Sequence, residues 1–123
     1  MKPRKITPTE RVKGDPTKGM VREEAIATDH VWSGLVRTAA GMTSGWHHHG
    51  EYETIVYVLS GAVRLEFGEK GQEVLEAHAG DFALIPPDTV HRESNPSNEE
   101  SQLIVIRSGT GVPTFNVDSP QTA

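Results

Sequence analysis

The stretch Gly41-Met-Thr-Ser-Gly-Trp-His47-His48-His49 places two imidazole side chains two residues apart, just before an acidic turn. Successive side chains of a β-strand point to opposite faces, so residues i and i+2 share a face. On a strand, His47 and His49 would therefore project side by side, as two ligands of one metal ion require, while His48 would face outward. Neutral imidazole is the commonest protein ligand for zinc, copper, iron and nickel.

A third histidine, His91, follows the turn Pro86-Pro87-Asp88, which sets the strand after it. Its neighbours Val90 and Arg92 would fall on the other face of that strand. Three imidazoles that converge in one small domain predict a site for one divalent transition metal, with Fe, Mn, Ni, Cu and Zn all open. The chain has no cysteine, which excludes both thiolate metal sites and disulfides.

Two segments of the chain resemble the paired motifs of the cupin superfamily. The first motif is a glycine, five residues, His-x-His, a short acidic spacer and a closing glycine. Here it runs from Gly41 through His47, His49 and Glu53 to Gly61. The resemblance implies that the two histidines of this motif, and an acidic residue after them, hold a metal.

The second motif is a glycine, five residues, Pro-x-Gly, two residues, His, three residues and Asn. It is matched here by Gly80, Pro86, His91 and Asn95, with Asp88 where the family usually has its second glycine. The resemblance covers roughly residues 35 to 107. It implies an all-β fold, the cupin-type double-stranded β-helix or jelly-roll barrel. Cupins host isomerases, dioxygenases, decarboxylases, epimerases and non-catalytic binders, so the fold alone does not select a reaction.

The acidic ligand implied by the resemblance falls at either of two neighbouring positions. Counted forward from His49, Glu53 fits the shorter permitted spacer. Counted back from Gly61, the position is Thr54, and the strand parity set by Val56 also turns Thr54 inward. Two sites therefore stay open, three histidines with Glu53 or three histidines with water, and parity favours the second.

Short strand-like runs separated by Gly, Pro, Asp and Asn recur along the chain, and no window is typical of a long amphipathic helix. The predicted strands are Val31–Thr38, Gly45–His49, Thr54–Leu59, Ala62–Phe67, Gln72–Glu76, Phe82–Ile85, Val90–Ser94 and Gln102–Arg107. Such short, evenly spaced strands indicate a sandwich or barrel, and the resemblance selects the jelly roll. Ser60-Gly61 and Gly68-Glu-Lys-Gly71 are predicted to be hairpin turns.

Strand parity also predicts which side chains line the barrel and which lie outside. The predicted inward apolar residues are Val56, Val58, Phe82, Leu84, Ile104 and Ile106. Three arginines are interpreted as outer-face charges: Arg37, Arg64 and Arg107. No buried cation that would anchor a phosphate or carboxylate is therefore expected.

The chain of 123 residues is expected to form one domain. Residues 1–19 are predicted to be an N-terminal tail or arm, residues 20–108 the cupin β-barrel, and residues 109–123 a C-terminal extension. A homodimer is expected, because a small barrel leaves sheet edges and an apolar outer face that need cover. The arm of residues 1–27, with Val21–Ala27 as a strand, is a candidate to pack on the partner.

Charge and hydropathy indicate which classes of partner are not expected. The net charge of −5 comes from 12 basic and 17 acidic residues without a basic block, so nucleic-acid binding is not expected. No apolar run has the length of a signal peptide or a membrane span, so no membrane partner is expected. A cytoplasmic location is expected, with which the absence of cysteine is compatible.

These observations predict a mononuclear metalloenzyme that acts on a small organic molecule, with dioxygenase-type oxidation favoured. An open coordination position is typical of catalytic rather than structural metal sites. The sequence does not identify a titratable side chain beyond the ligands that could act as general acid or base. The alternative is a cupin module that binds a small molecule without turnover.

Overall fold

The computed structural model describes residues 2–14 and 19–121, which form two antiparallel β-sheets. A 3-10 turn at Pro8–Glu10 is the one helical element in these ranges, and no helix there could cross a membrane. The strands are β1 (Val12–Lys13), β2 (Met20–Ala27), β3 (Val31–Thr38), β4 (His47–His48), β5 (Glu53–Ser60), β6 (Ala62–Phe67), β7 (Glu73–His78), β8 (Phe82–Ile85), β9 (His91–Ser94), β10 (Ser101–Ser108) and β11 (Phe115–Asn116).

The two sheets enclose the hydrophobic core between them. The larger sheet has the strand order β1-β2-β3-β10-β5-β8, and the smaller sheet has the order β11-β4-β9-β6-β7. Buried side chains from both sheets, such as Val58 in the larger and Leu65 in the smaller, meet in one cluster. The predicted all-β fold is confirmed, and the chain has the double-stranded β-helix that the resemblance implied.

Most predicted strands lie where the sequence places them, but one predicted turn is wrong. Gly68-Glu-Lys-Gly71 joins β6 to β7, which pair as a hairpin from Phe67 opposite Glu73. Ser60-Gly61 does not form a hairpin, because β5 and β6 belong to different sheets. Gly61 instead turns the chain from one sheet to the other with a φ of 77°. A Cβ there would lie 2.9 Å from the Cα of Ser101, so the crossing requires glycine.

The predicted inward face is correct for β5 and wrong for β8 and β10. Val56 and Val58 are buried as expected. On β8, however, Ala83 and Ile85 are buried while Phe82 and Leu84 are 73% and 53% exposed. On β10 the buried residues are Leu103 and Val105, whereas Ile106 is exposed and Ile104 partly exposed. In both strands the apolar residues are consecutive, so periodicity does not mark the inward side.

The N-terminal segment contributes to the sheet of its own chain. Val12 and Lys13 of β1 lie opposite Glu24 and Glu23 of β2, and β2 pairs in turn with β3. The strand predicted at Val21–Ala27 is thus an internal strand rather than a free arm. The division into residues 1–19, 20–108 and 109–123 stays a prediction, and residues 1, 15–18, 122 and 123 lie outside the described part.

Candidate metal centre

The structure brings His47, His49 and His91 together between the two sheets. One ring nitrogen from each lies within 4.8 Å of those of the other two. His47 on β4 lies directly opposite His91 on β9, with their ring centroids 4.3 Å apart. The strand-like spacing turns His49 to the same side, and its ring lies 5.1 Å from each of the other two. All three side chains are buried.

Each of the three imidazoles is held by a backbone carbonyl. The Nδ1 atoms of His47, His49 and His91 lie 2.9, 2.8 and 2.9 Å from the carbonyl oxygens of Gly45, Pro113 and Thr89. A carbonyl oxygen can only accept a hydrogen bond, so each Nδ1 carries the proton and donates it. This tautomer leaves a lone pair on every Nε2, which is the arrangement that metal-ligating histidines adopt.

The environment of the His91 Nε2 atom is consistent with a metal ion held by the cluster. It is buried and has no hydrogen-bond partner among the residues that the structure describes. A buried acceptor without a partner costs free energy, so such an atom calls for a group not supplied by the protein. A divalent transition metal satisfies three converging imidazole lone pairs at once.

The surroundings of His49 and His91 favour the neutral form of both imidazoles. Burial, reinforced by the charge of Arg107, lowers the pKa of His49 from 6.5 to about 3. Burial also lowers the pKa of His91, and His47 acts in the same direction. Neutral imidazole is the form that binds metal, so the lowered pKa values of His49 and His91 favour binding of a cation.

The structure separates Glu53 from the histidines. Thr54 is buried, and its Oγ1 has no hydrogen-bond partner among the described residues, whereas the side chain of Glu53 is exposed on the other face of β5. Glu53 is absent from the cluster of potential ligands found in residues 2–14 and 19–121. Of the two alternatives left open by the sequence, the geometry matches three histidines, because the parity of β5 turns Thr54 inward.

His48 takes the outward position expected from its parity and contacts the C-terminal segment. Its ring stacks on Phe115 at a centroid distance of 4.8 Å, with 13° between the planes. β11 pairs with β4, with Phe115 opposite His48 and Asn116 opposite His47. The segment that supplies the Pro113 carbonyl is therefore fixed at the edge of the smaller sheet.

A cavity of about 1050 Å³ opens beside His47 and His49. Its lining includes Trp32, Glu93 and Arg107, together with residues of the C-terminal segment. Glu93 lies two residues after His91 on β9, so the same parity rule that pairs His47 with His49 also turns it inward. The spacing of Glu93 from His91 is therefore the sequence signal for this residue.

The prediction that Arg107 is an outer-face charge is wrong. It lies opposite Thr54 in the pairing of β10 with β5, and residues directly opposite one another share a face. Because Thr54 is inward, Arg107 is inward too, and it is partly buried beside the histidines. Arg64 does lie outside as predicted, in an exposed ion pair with Glu76 at 3.0 Å.

Two curated proteins match parts of this chain. It is 43% identical over 47 residues to the uncharacterized protein YdbB of Bacillus subtilis (strain 168), across 38% of this chain and 40% of that protein. It is 41% identical over 64 residues to the mannose-1-phosphate guanylyltransferase RfbM of Salmonella typhimurium, across 52% of this chain and 12% of that enzyme. The matched segments thus span well under half of either relative.

Solved structures share the fold over most of the chain. KdgF from Halomonas sp. superposes with a TM-score of 0.75 at 23% identity, over 89% of this chain and 96% of that one. Oxalate decarboxylase of Bacillus subtilis, an enzyme with Mn(II) centres, superposes with a TM-score of 0.71 at 20% identity, over 83% of this chain and 29% of that one. A cupin domain model (Cupin_2) matches residues 34–107, more than half of the sequence. This chain belongs to the cupin family.

Proposed function

We propose that this cupin is a mononuclear metalloenzyme that holds one divalent transition metal on His47, His49 and His91 and transforms a small organic molecule. The observation that carries the proposal is the arrangement of the three imidazoles, each fixed through Nδ1 by a carbonyl, beside an open cavity. A bound metal would supply a Lewis acid with positions left for substrate.

The residues of the cavity support turnover rather than simple metal storage. Glu93 places a carboxylate in the cavity two residues from His91, where it can accept a proton from a bound molecule. Trp32 and Tyr52 add aromatic surface to the lining, which suits an organic substrate better than a hydrated ion. These features favour an enzyme over the alternative of a non-catalytic binding module.

Dioxygen-dependent oxidation on iron(II) is the reaction that we propose first. Three neutral imidazoles leave the full charge of a divalent ion in place, and imidazole suits iron as well as zinc, copper and nickel. Manganese is the second candidate metal, supported by the Mn(II) centres of oxalate decarboxylase, which has the same fold. The protein contributes the three ligands, the orientation of each ring and a cavity next to them.

Oxygen consumption tests the proposed reaction. Protein loaded with iron(II) is placed in an oxygen electrode with a panel of diketones, phenols and flavonols, and we expect consumption with at least one class. His49→Ala should abolish it, whereas His78→Ala, a change at an exposed histidine of β7, should not. Fully loaded wild-type protein that binds panel members without consuming oxygen or altering them would support the binding module instead.

A further inference from the structure

Arg107 differs from Arg64 and Arg92 in forming no close ion pair with a carboxylate of the described residues. Arg92 donates from Nη2 and Nε to the two carboxylate oxygens of Glu66, and Arg64 pairs with Glu76. The Nε of Arg107 is buried without a hydrogen-bond partner among residues 2–14 and 19–121. Burial lowers the pKa of the Arg107 guanidinium, and the Glu93 carboxylate in the same cavity offsets only part of that effect. A bound anion would therefore stabilise the buried cation further.

The guanidinium is held in a defined place within the cavity. Its Cζ lies 5.0 Å from the centroid of the Trp32 ring, within the range of a cation–π contact. Trp32 is itself fixed, because its Nε1 donates a hydrogen bond of 2.8 Å to Oε1 of Glu24. The arginine is therefore oriented from one side by an anchored aromatic ring, and it lines the cavity.

Arg107 lines the same cavity as the histidine cluster. The lining of that cavity contains His47, His49 and Arg107 together. The charge of Arg107 also contributes, after burial, to the lowered pKa of His49, which places the two groups within electrostatic reach of each other. A molecule bound near the imidazoles would thus meet a fixed positive charge on the β10 side.

Building on the metal-dependent function proposed above, we propose that Arg107 binds the carboxylate of the substrate, so that the site takes small organic carboxylates. The planar fork of a guanidinium matches the two oxygens of a carboxylate. Arg22, Arg107 and the Glu93 carboxylate all line this cavity, so their formal charges (+1, +1 and −1) sum to +1 before any metal is added. That balance suits a monoanion better than a phosphate dianion. The aromatic face of Trp32 and the side chain of Met42 offer apolar surface to the body of the ligand.

Calorimetry with two molecules of nearly the same shape tests the proposal on the wild-type protein. Benzoate and benzamide differ mainly in charge, and we expect benzoate to bind at least tenfold more tightly, in both metal-loaded and metal-free protein. Equal affinities would overturn the proposal. Inorganic phosphate is the third probe, and tighter binding of phosphate than of benzoate would overturn the assignment to carboxylates.

Substitution then locates the site. Arg107→Gln should weaken benzoate binding at least tenfold and leave benzamide binding unchanged, while the matched change Arg64→Gln at an exposed arginine should alter neither. Arg107→Lys keeps the charge but loses the planar fork of the guanidinium. Its affinity for benzoate should lie between those of the wild-type protein and Arg107→Gln. Unchanged benzoate affinity in Arg107→Gln would refute the role of this residue. Elemental analysis separates this result from the metal proposal: selective benzoate binding by a wild-type protein that retains no metal would sink the proposed function alone.

Discussion

The imidazole of His49 donates a hydrogen bond of 2.8 Å from Nδ1 to the carbonyl of Pro113, a residue 64 positions further along the chain. Residues 111–116, here called the strap, are held to the barrel by two further contacts. Phe115 stacks on His48, and the hydroxyl of Tyr52 donates to the carbonyl of Gly111 at 3.2 Å. The strap therefore orients one of the three candidate ligands, although it follows the residues matched by the cupin model.

Phe115→Ala tests this role of the strap. Loss of the stacking on His48 should let the Pro113 carbonyl move and leave the His49 ring less well oriented. We expect metal affinity to fall roughly tenfold, the lower end of the effect of removing a group that orients a ligand. Competition with a chromophoric chelator measures it. Val112→Ala, an exposed change in the same strap, is the control, and wild-type affinity in Phe115→Ala would show that the strap does not position His49.

The three histidines are predicted to be individually necessary for the metal. His47→Ala, His49→Ala and His91→Ala should each reduce occupancy from near one metal per chain to a small fraction, because two imidazoles bind a divalent ion far more weakly than three. Elemental analysis of purified protein provides the measurement. Full occupancy in all three variants would mean that the metal lies elsewhere.

Glu53→Gln is predicted to leave metal occupancy nearly unchanged in the same measurement. The side chain of Glu53 is exposed on the face of β5 opposite to Thr54, so it cannot reach the histidines without a change of register. His78→Ala, at an exposed histidine, provides a second variant expected to keep full occupancy. A clear loss of affinity in Glu53→Gln, by about 1 kcal/mol or more, would restore the carboxylate as a ligand.

The histidine cluster could be predicted from the sequence because its signal is local. Side chains at i and i+2 share a face of a strand, so His47 and His49 needed only one correct assignment of secondary structure. The same rule places Glu93, two residues after His91 on β9, on the inward face. Thr54 was likewise obtained from the parity of the valines that follow it on β5.

The rest of the site depends on pairing between distant segments, which the sequence does not display. Arg107 faces inward because β10 pairs with β5 in a register that sets it opposite Thr54. The run from Leu103 to Ile106 is apolar at every position, so periodicity alone could not choose its inner face. The contact of Pro113 with His49 has no sequence signal at all, because it results from the pairing of β11 with β4.

Asp88→Gly is predicted to stabilise the fold. Asp88 has a φ of 54°, in the left-handed region, at the position where the second cupin motif usually has glycine. Glycine adopts this conformation without steric cost, so we expect the free energy of unfolding to rise by about 0.5–1 kcal/mol. Chemical denaturation measures the change. Asp88→Ala should destabilise instead, since alanine tolerates a positive φ less well than aspartate, and stabilisation by both variants would contradict this explanation.

The outer face of the larger sheet is predicted to mediate a homodimer. Two rows of paired side chains cross β10, β5 and β8, one formed by Ile104, Tyr57 and Phe82 and the other by Ile106, Ile55 and Leu84. Neither row contains a charge, so a second copy can pack on this face across a twofold axis without like-charge repulsion.

Light scattering at micromolar concentration should give about twice the 13.4 kDa mass of the chain. Leu84→Glu should shift the protein toward the monomer without loss of metal, because Leu84 lies on the outer face, away from the histidines. Val74→Glu, at an exposed valine on the outer face of the smaller sheet, is the control. A wild-type protein of monomeric mass would contradict the dimer.

The stability of the metal-free protein is predicted to fall as the pH decreases below about 6.5. The pKa of His49 is about 3 in the folded protein and 6.5 when it is not perturbed, with burial as the main cause. Between these values the unfolded chain binds a proton that the folded protein does not bind, so acidification favours unfolding. His91, whose pKa is also lowered, acts in the same direction.

The expected loss from His49 is about 1.6 kcal/mol between pH 6.5 and 5, because the slope rises toward about 1.4 kcal/mol per pH unit as the unfolded imidazole becomes protonated. Few carboxylates titrate in this window, so thermal unfolding of chelator-treated protein at pH 7.5, 6 and 5 isolates the histidines. His49→Gln should flatten the dependence, since glutamine can keep a donor toward Pro113 but takes up no proton. His78→Gln, the same change at an exposed histidine, is the matched control. Equal stability of the wild-type apo-protein at pH 7.5 and 5 would show that its buried histidines do not control acid unfolding.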